Sequence, residues 1–258
     1  MYLSTLLIDV GQNPDRPRPG RLWLRNLYRV HQRLCMAFPS NKRKDEDAQM
    51  LQPFKPEDFG AGHVHVKRSD SAGFLFRVDP QPGGNVVIVV LSALEPDWGY
   101  AFNNAGHLLA APLQKPRALE LKIGPGAQFR FRLLANPVKR SPRTKAHWLK
   151  DKAAGEKIKR PRLQLTWAAD ENPAEVFKGW LEERGENAGF VLRQVDVSRI
   201  GYVYVNKGGE EKGQRLRSVR YEGVLEVTDA DKFRVALASG IGPAKAFGFG
   251  LLSITPAG

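Results

Sequence analysis

The sequence has almost no cysteine, since Cys35 is the single one in 258 residues. One thiol cannot form an intramolecular disulfide or supply a cysteine zinc cluster, so a reducing, cytoplasmic location is expected. The sequence also lacks an apolar run of about 18 residues, the length that a membrane span needs. Its first residues do not show the basic start and apolar stretch of a secretory signal. We therefore expect neither a membrane span nor a signal peptide.

Acidic residues are scarce compared with basic ones. There are 40 Lys and Arg against 27 Asp and Glu, which gives a net charge of +13. Most of the excess positive charge lies in residues 129–162, which contain twelve basic residues and two acidic ones. A local block of positive charge is typical of a protein that binds a polyanion, and nucleic acid is the expected partner. The alternative is a solvated linker that only keeps the chain soluble.

Clusters of metal ligands are lacking as well. His63 and His65 could share one face of a strand, but no cysteine and no obvious carboxylate joins them at ligand spacing. We therefore expect no metal and no cofactor. Cys35 follows His31 by four residues and could be mistaken for a nucleophile pair. We interpret it as a small core residue, because the apolar stripe of the predicted helix runs beside it.

The length and the periodic segments predict two domains of mixed structure. A strand is expected at 2–10. A helix is expected further along the chain, and Asn26 can cap its first turn. Proline and glycine mark 11–20 as a loop, and 41–62 is polar and irregular. Further strands are predicted at 74–79, 86–94, 119–123, 129–134, 189–199, 201–206, 214–228 and 251–255, and further helices at 173–184 and 230–238.

Both halves of the chain therefore suggest an antiparallel sheet with helices on one face. This indicates an α+β fold of two tandem ferredoxin-like, or RRM-like, domains. We expect an N-terminal domain at 1–137, a basic connecting segment at 138–162 and a C-terminal domain at 163–258.

Two basic regions are candidates for RNA binding. Tyr202 and Tyr204 alternate with valines ahead of a glycine-rich, basic stretch, a pattern that predicts a β-hairpin. A basic hairpin suits the groove of an RNA duplex, and we expect it to lay Arg215 and Arg217 along a stem. The segment at 138–162 is expected to follow backbone phosphates. The predicted RNA-binding residues in these regions and in the preceding strand are Arg130, Arg132, Lys139, Arg140, Lys207, Lys212, Arg215 and Arg217.

A glycine-rich stretch at 240–250 precedes the last predicted strand. Glycine lets a backbone approach another chain closely, so the stretch could cradle a phosphate, with Lys245 beside it. We assign Gly242, Gly248 and Gly250 to this role. It lacks the ending of a nucleotide P-loop. A tight turn that feeds the last strand is the other interpretation, and both can hold.

Tyr28 and His31 are three residues apart on the predicted helix and so share one face. An imidazole titrates near neutral pH and can take or give a proton at a phosphate. From spacing alone, the two side chains could equally be packing or surface residues.

Four segments together resemble a known family. They are MYLS at 1–4, LYRVHQ at 27–32, FRFRLLANPVK at 129–139 and GIGPAKAFGFGLLS at 240–253. In this order they resemble the CasE family, the CRISPR-associated endoribonuclease of the type I-E Cascade complex. The resemblance implies two ferredoxin-like domains, binding of a CRISPR repeat stem-loop, metal-independent cleavage at the base of the stem, and retention of the mature crRNA within Cascade.

The resemblance also implies catalytic roles for two residues. His31 would act as general base or general acid, and Tyr28 would orient the nucleophile or assist proton transfer. Met36 stands where some relatives have a basic or polar residue, so no third catalytic group is assigned.

Two other functions compete with cleavage. A non-catalytic RNA-binding subunit of a CRISPR ribonucleoprotein complex would share the fold and the charge. A general RNA-recognition module would need paired aromatic motifs on central strands, of which residues 129–132 form only a fragment.

Overall fold

The computed structural model describes residues 1–11, 17–52, 73–82, 84–142, 161–206 and 213–257. Its helices are α1 (Pro19–Leu24), α2 (Leu27–Cys35), α3 (Asn41–Glu46), α4 (Trp98–Phe102), α5 (Pro173–Asn187) and α6 (Ala230–Ser239), with 3-10 turns at Gly106–Leu108 and Lys245–Phe247. Its strands are β1 (Tyr2–Ile8), β2 (Phe74–Pro80), β3 (Val86–Ser92), β4 (Arg117–Ala118), β5 (Gln128–Ala135), β6 (Val138–Arg140), β7 (Arg162–Gln164), β8 (Phe190–Val205), β9 (Gln214–Val227) and β10 (Leu252–Pro256). None of the helices in these ranges is long and apolar enough to cross a membrane.

The first sheet has the strand order β2-β3-β1-β4, and its mapped pairs are antiparallel. Apolar residues of α2, such as Val30 and Leu34, join Phe76, Ile88 and Val90 of the sheet in one core. Helix α4 contributes to the same core, so the helices cover one face of the sheet. This is the ferredoxin-like arrangement that the sequence predicts.

The second sheet repeats this arrangement with the order β10-β5-β9-β8. Helices α5 and α6 cover one face, and Phe177, Tyr221 and Phe233 are fully buried in that core. The α+β fold with two ferredoxin-like sheets is therefore confirmed.

Strand β5 departs from the predicted domain division. It pairs with β9 and β10, so its hydrogen bonds place it in the second sheet, although the division at 137 assigned it to the first domain. We propose a boundary between Ala118 and Gln128 instead. The two-stranded ribbon of β6 and β7 then lies inside the second domain, at the start and end of the basic segment.

Several local predictions are wrong. Residues 119–123 form no strand, and the fourth strand of the first sheet is the short β4. The two strands predicted at 189–199 and 201–206 are one strand, β8, with register shifts between Leu192 and Gln194 and between Ser198 and Gly201. The short helices α1, α3 and α4 were not predicted, because so few residues carry too little periodicity to be recognised.

Helix α2 forms as the sequence predicts. The side chain of Asn26 accepts hydrogen bonds from the backbone N–H groups of Tyr28 and Arg29, which caps the first turn. At the other end Arg33 donates to the carbonyl of Ala101 at 2.9 Å and to the side chain of Asn104 at 2.8 Å. The helix is thus fixed at both ends.

An arginine of the first domain forms a hydrogen bond to the second sheet. Arg77 on β2 is buried and paired with Asp79, with 2.8 Å between Nη2 and Oδ2. Its Nη1 donates to the hydroxyl of Ser253 on β10 at 2.9 Å. Beside it Leu75, Leu91 and Leu251 form a small apolar cluster between the sheets. The C-terminal strand is therefore held against the first domain.

The irregular pairing of β8 with β9 requires a glycine at 223. An added Cβ there would lie 2.0 Å from the carbonyl oxygen of Gln194. We expect Gly223→Ala to lower the free energy of unfolding by about 2 kcal/mol or more, because the strands must separate locally. Urea unfolding measures the loss.

Gly201→Ala is the matched control on β8, because its Cβ would meet no atom within 4 Å. It should stay within about 0.5 kcal/mol of the wild type. Equal losses in the two variants would contradict this account of Gly223.

Candidate active site and RNA interface

Tyr28 and His31 lie on one face of α2, with their ring centroids 6.1 Å apart. The imidazole stacks on Phe74 at 5.2 Å and lies 6.2 Å from Phe76, both on β2. The phenol ring of Tyr28 lies 6.0 Å from Phe247, which belongs to the C-terminal glycine-rich stretch. The predicted pair therefore stands where the two domains meet.

The nitrogens of His31 are directed toward the protein interior. Nε2 lies 3.6 Å from Sγ of Cys35, and Nδ1 is shielded from solvent. Cys35 is 1% exposed, so it is a core residue as predicted and is out of reach of a substrate. Its thiol acts as a weak contact for the imidazole.

The glycine-rich stretch makes close contacts within the protein. Gly248 has a φ of +77° and stands so near Phe76 that an added Cβ would be 3.2 Å from its ring. Gly242, with a φ of +79°, faces the ring of Trp180 in the same way. These contacts account for both glycines as parts of a tight turn, and the phosphate cradle stays a prediction.

The other two residues assigned to the cradle lie close together. Gly250 is buried, and its N–H donates to the carbonyl of Leu134 at 2.8 Å. Lys245 is half-buried, with its Cγ against Gly250. The stretch therefore runs between β5 and the face of α2 that carries Tyr28.

One apolar cluster joins the helix, the glycine-rich stretch and the hairpin. We call it the junction cluster. Phe249 is fully buried at its centre. Its members are Leu27, Tyr28, Leu134, Val203, Val205, Leu216, Ala244, Phe247 and Phe249. Three regions that the sequence singled out separately are thus packed together.

The hairpin of β8 and β9 places its two predicted arginines differently. Arg215 is exposed, whereas Arg217 is only 8% exposed. The guanidinium of Arg217 lies 4.7 Å from the ring of Trp167 and 4.4 Å from that of Tyr202. Trp167 covers the hairpin there, so Arg217 is buried, and its role in RNA binding stays a prediction. Lys207 and Lys212 lie outside the described residues.

Sequence reasoning missed the aromatic partners of these arginines. Tyr202 is paired with Arg217 across the strands, and Tyr204 is paired with Arg215. The alternation of tyrosine and valine in β8 was the available signal, since it places both tyrosines on the face of the arginines. Nothing in the local sequence indicates that Trp167 joins them.

Arg130 and Arg132 lie on the opposite face of the second sheet. Along β9, successive side chains point to alternate faces of the sheet. Glu222 is the cross-strand partner of Arg132, and it therefore points to the face opposite that of Arg217. Arg130 is exposed, and Arg132 is ion-paired with Glu222. Both line an open pocket of about 590 Å³ on this face of the second sheet, which Arg77 also borders. The two predicted pairs of arginines therefore do not line one surface.

Glu222 also accepts a hydrogen bond from Arg220 at 2.9 Å. Partial burial raises the pKa of Glu222, but hydrogen bonds from Arg220 and Arg132 outweigh this and hold the pKa below its usual value. The carboxylate is therefore charged at neutral pH and compensates the arginines around it.

Lys139 and Arg140 are exposed on β6, beside the hairpin. The ribbon of β6 and β7 touches the hairpin where the side chain of Gln164 donates to the carbonyl of Arg215 at 2.6 Å. These cations and Arg215 thus flank one part of the surface. Residues 143–160, the middle of the basic segment, lie outside the described residues.

No group of three or more His, Cys, Asp or Glu side chains that could hold a metal ion occurs in the described ranges. His63 and His65 fall outside those ranges.

Comparison with known proteins places the chain in a family. The sequence model described as CRISPR associated protein matches residues 1–256. The chain is 34% identical over 193 residues to the CRISPR-associated endoribonuclease Cse3 of Thermus thermophilus, covering 70% of this chain and 79% of that relative. It is 28% identical over 257 residues to the CRISPR system Cascade subunit CasE of Escherichia coli K12, covering 99% and 100%.

Solved structures agree. The structure of CRISPR endoribonuclease Cse3 bound to a 19-nucleotide RNA has a TM-score of 0.66 and 28% identity, over 99% of this chain and 100% of that one. That of Thermus thermophilus Cse3 bound to an RNA representing a pre-cleavage complex has a TM-score of 0.65 and 26% identity, with the same coverage. The chain belongs to the CasE family of CRISPR-associated proteins.

Proposed function

We propose that this protein is the endoribonuclease that binds the stem-loop of a CRISPR repeat, cleaves precursor CRISPR RNA and retains the mature crRNA within Cascade, in the cytoplasm. The observation that carries the proposal is the junction cluster, which packs the helix of Tyr28 and His31 against the glycine-rich stretch and the basic hairpin. The relatives of this protein support the proposal, since one is named an endoribonuclease and another a Cascade subunit.

The proposed reaction uses the RNA itself as nucleophile. The 2'-oxygen attacks the adjacent phosphorus, and the bond from phosphorus to the 5'-oxygen breaks. One proton leaves the 2'-hydroxyl and one joins the departing 5'-oxygen, so the products are a 2',3'-cyclic phosphate and a 5'-hydroxyl. His31 carries one of these protons, and Tyr28 orients the nucleophile or assists the transfer. Neither transfer requires a metal ion.

The imidazole has to turn for this chemistry. Proton transfer needs a ring nitrogen within about 2.6–3.2 Å of the reacting oxygen. In the structure Nε2 instead contacts Sγ of Cys35 at 3.6 Å. A thiol is a weak hydrogen-bond partner, so exchanging it for a substrate oxygen costs little. We infer that RNA binding turns the ring of His31 toward the scissile phosphate.

Cleavage of the host's repeat RNA in excess EDTA tests the reaction. We expect a single cut in EDTA, and no cut when the nucleotide before the scissile phosphate is 2'-deoxy. His31→Ala should lower the single-turnover rate by at least about a hundredfold while repeat binding stays nearly unchanged. Denaturing gels follow the product, and filter binding measures the affinity.

His107→Ala is the matched control, because His107 is exposed on the 3-10 turn at Gly106–Leu108. It should cut at the wild-type rate. A folded, active His31→Ala protein would remove His31 from the mechanism. Tight binding by the wild type without any cut would instead identify a non-catalytic RNA-binding subunit.

The contact between the glycine-rich stretch and the site gives a second prediction. Gly248→Ala would force alanine into a left-handed conformation and push on Phe76, whose ring lies against His31. We expect the free energy of unfolding to fall by about 1–2 kcal/mol from the strained backbone. We also expect slower cleavage at saturating enzyme, because the imidazole is displaced.

Gly126→Ala separates these two effects. Gly126 has a φ of +81° and no neighbour within 4 Å of an added Cβ, so the variant carries the backbone strain alone. It should lose similar stability and keep the wild-type cleavage rate. Equal rates in the two variants would show that the contact with Phe76 does not influence His31.

A further inference from the structure

The imidazole of His31 lies against aromatic rings of the neighbouring sheet. It is stacked on Phe74 with 5.2 Å between the ring centroids and 30° between the planes, and its plane lies 20° from that of Phe76. Both phenylalanines belong to β2 and are buried, at 4% and 0% exposed. Phe74 is itself stacked on Phe38, at 5.4 Å and 17°. A close-packed core allows such rings little movement, so the plane of the imidazole is set by the first domain.

This stack leaves the imidazole one easy rotation. The torsion about the Cβ–Cγ bond of a histidine is broad and has roughly twofold periodicity. A half-turn about this bond exchanges the two edges of the ring but keeps the ring in its plane, so the stack on Phe74 survives it. His31 can therefore take two orientations that pack almost equally well and direct Nε2 to different sides.

Cys35 distinguishes these two orientations. It lies one helical turn after His31, and the side chains of a helix lean toward its N-terminus, so the thiol is directed back toward the imidazole. Nε2 lies 3.6 Å from Sγ. In the other orientation a ring carbon would stand at the thiol instead. A thiol is a weak donor and a weak acceptor, so the contact favours the inward orientation of Nε2 by a small amount.

We propose that Phe74 and Cys35 are positioning residues of RNA cleavage. Phe74 fixes the plane in which the imidazole turns. The thiol of Cys35 retains the inward orientation and so acts as a brake, because only the outward orientation brings Nε2 to the scissile phosphate. Cys35 is 1% exposed, so it acts through His31 and not on the RNA. The inference rests on the proposed function, in which His31 carries a proton.

Substitutions of Cys35 should change the cleavage rate in opposite directions, because the observed rate follows the fraction of protein in the outward orientation. C35V removes the polar contact and keeps an apolar side chain, so single-turnover cleavage at saturating protein should become about two- to tenfold faster. C35S supplies a hydroxyl, which is the stronger hydrogen-bond partner, so cleavage should become slower by about the same factor. C35A should be faster than the wild type, as C35V is, and does not risk overpacking the core.

Affinity is measured on repeat RNA made uncleavable by a 2'-deoxy nucleotide, and it should equal that of the wild type in all three variants. A cysteine that serves only the core would give another pattern, in which every variant is less stable in urea and none is faster. Rates of C35V and C35A at or below that of the wild type would overturn the brake. A C35S protein that cuts as fast as C35V would overturn it as well.

F74L tests the role of the ring plane. Leucine keeps the position apolar but offers no flat face to the imidazole, so we expect the single-turnover rate to fall by about tenfold or more. F38L is the matched control, since Phe38 is also buried and stacks on Phe74. It should lose similar stability in urea and keep nearly the wild-type rate. Equal losses of rate in F74L and F38L would show that the rate follows core packing and not the stack on His31.

A measurement without RNA checks the contact itself. The NMR chemical shifts of the ring nitrogens of His31 report their protonation and hydrogen bonding, and the loss of these signals in H31A assigns them. We expect the Nε2 signal to move in C35V and in C35S and to keep its position in H107A, whose substituted side chain is exposed. An unchanged Nε2 signal in both Cys35 variants would overturn the contact on which the brake depends.

These outcomes are distinct from failure of the proposed function. If the wild-type protein binds the repeat RNA and does not cut it, the proposed function fails, and the NMR signal still decides whether Cys35 holds the ring. If the protein cuts the RNA and the Cys35 variants do not differ in the expected directions, only the brake fails.

Discussion

The structure depends on the packing of one short C-terminal turn against a helix of the other domain. Phe247 contacts Tyr28, and the buried Phe249 extends this contact to the part of the hairpin next to its turn. Apolar burial is not directional, but an aromatic cluster enclosed on three sides permits few arrangements of its parts. The separation between Tyr28 and the hairpin is therefore set by the core of the molecule.

The hydrogen bonds of Arg77 restrict how the two sheets can pack against each other. Its charge is satisfied by Asp79 on its own strand, and its remaining donor reaches Ser253 in the second domain. A buried ion pair contributes little net stability, because desolvation offsets the attraction. It does select one geometry, since any sliding of the sheets would leave a buried donor without its acceptor. Apolar contacts thus hold the domains together, and Arg77 fixes their register.

Much of the fold follows from local sequence, and much of the site does not. The cap at Asn26 and the apolar spacing of Val30 and Leu34 were enough to predict α2 and the shared face of Tyr28 and His31. The burial of Arg217 was not predictable, because Trp167 reaches it from a distant part of the chain. The opposite orientation of Arg132 depends on strand pairing, which alternation within one strand cannot show.

The pairing of Glu222 with Arg132 and Arg220 has a consequence for selectivity. A chain with a net charge of +13 attracts any RNA, whatever its shape, through counterion release. On the open face of the second sheet, these two arginines already hold a carboxylate of the protein, so a passing RNA must displace it to bind there. This face of the sheet thereby offers non-cognate RNA fewer uncompensated cations than its composition implies.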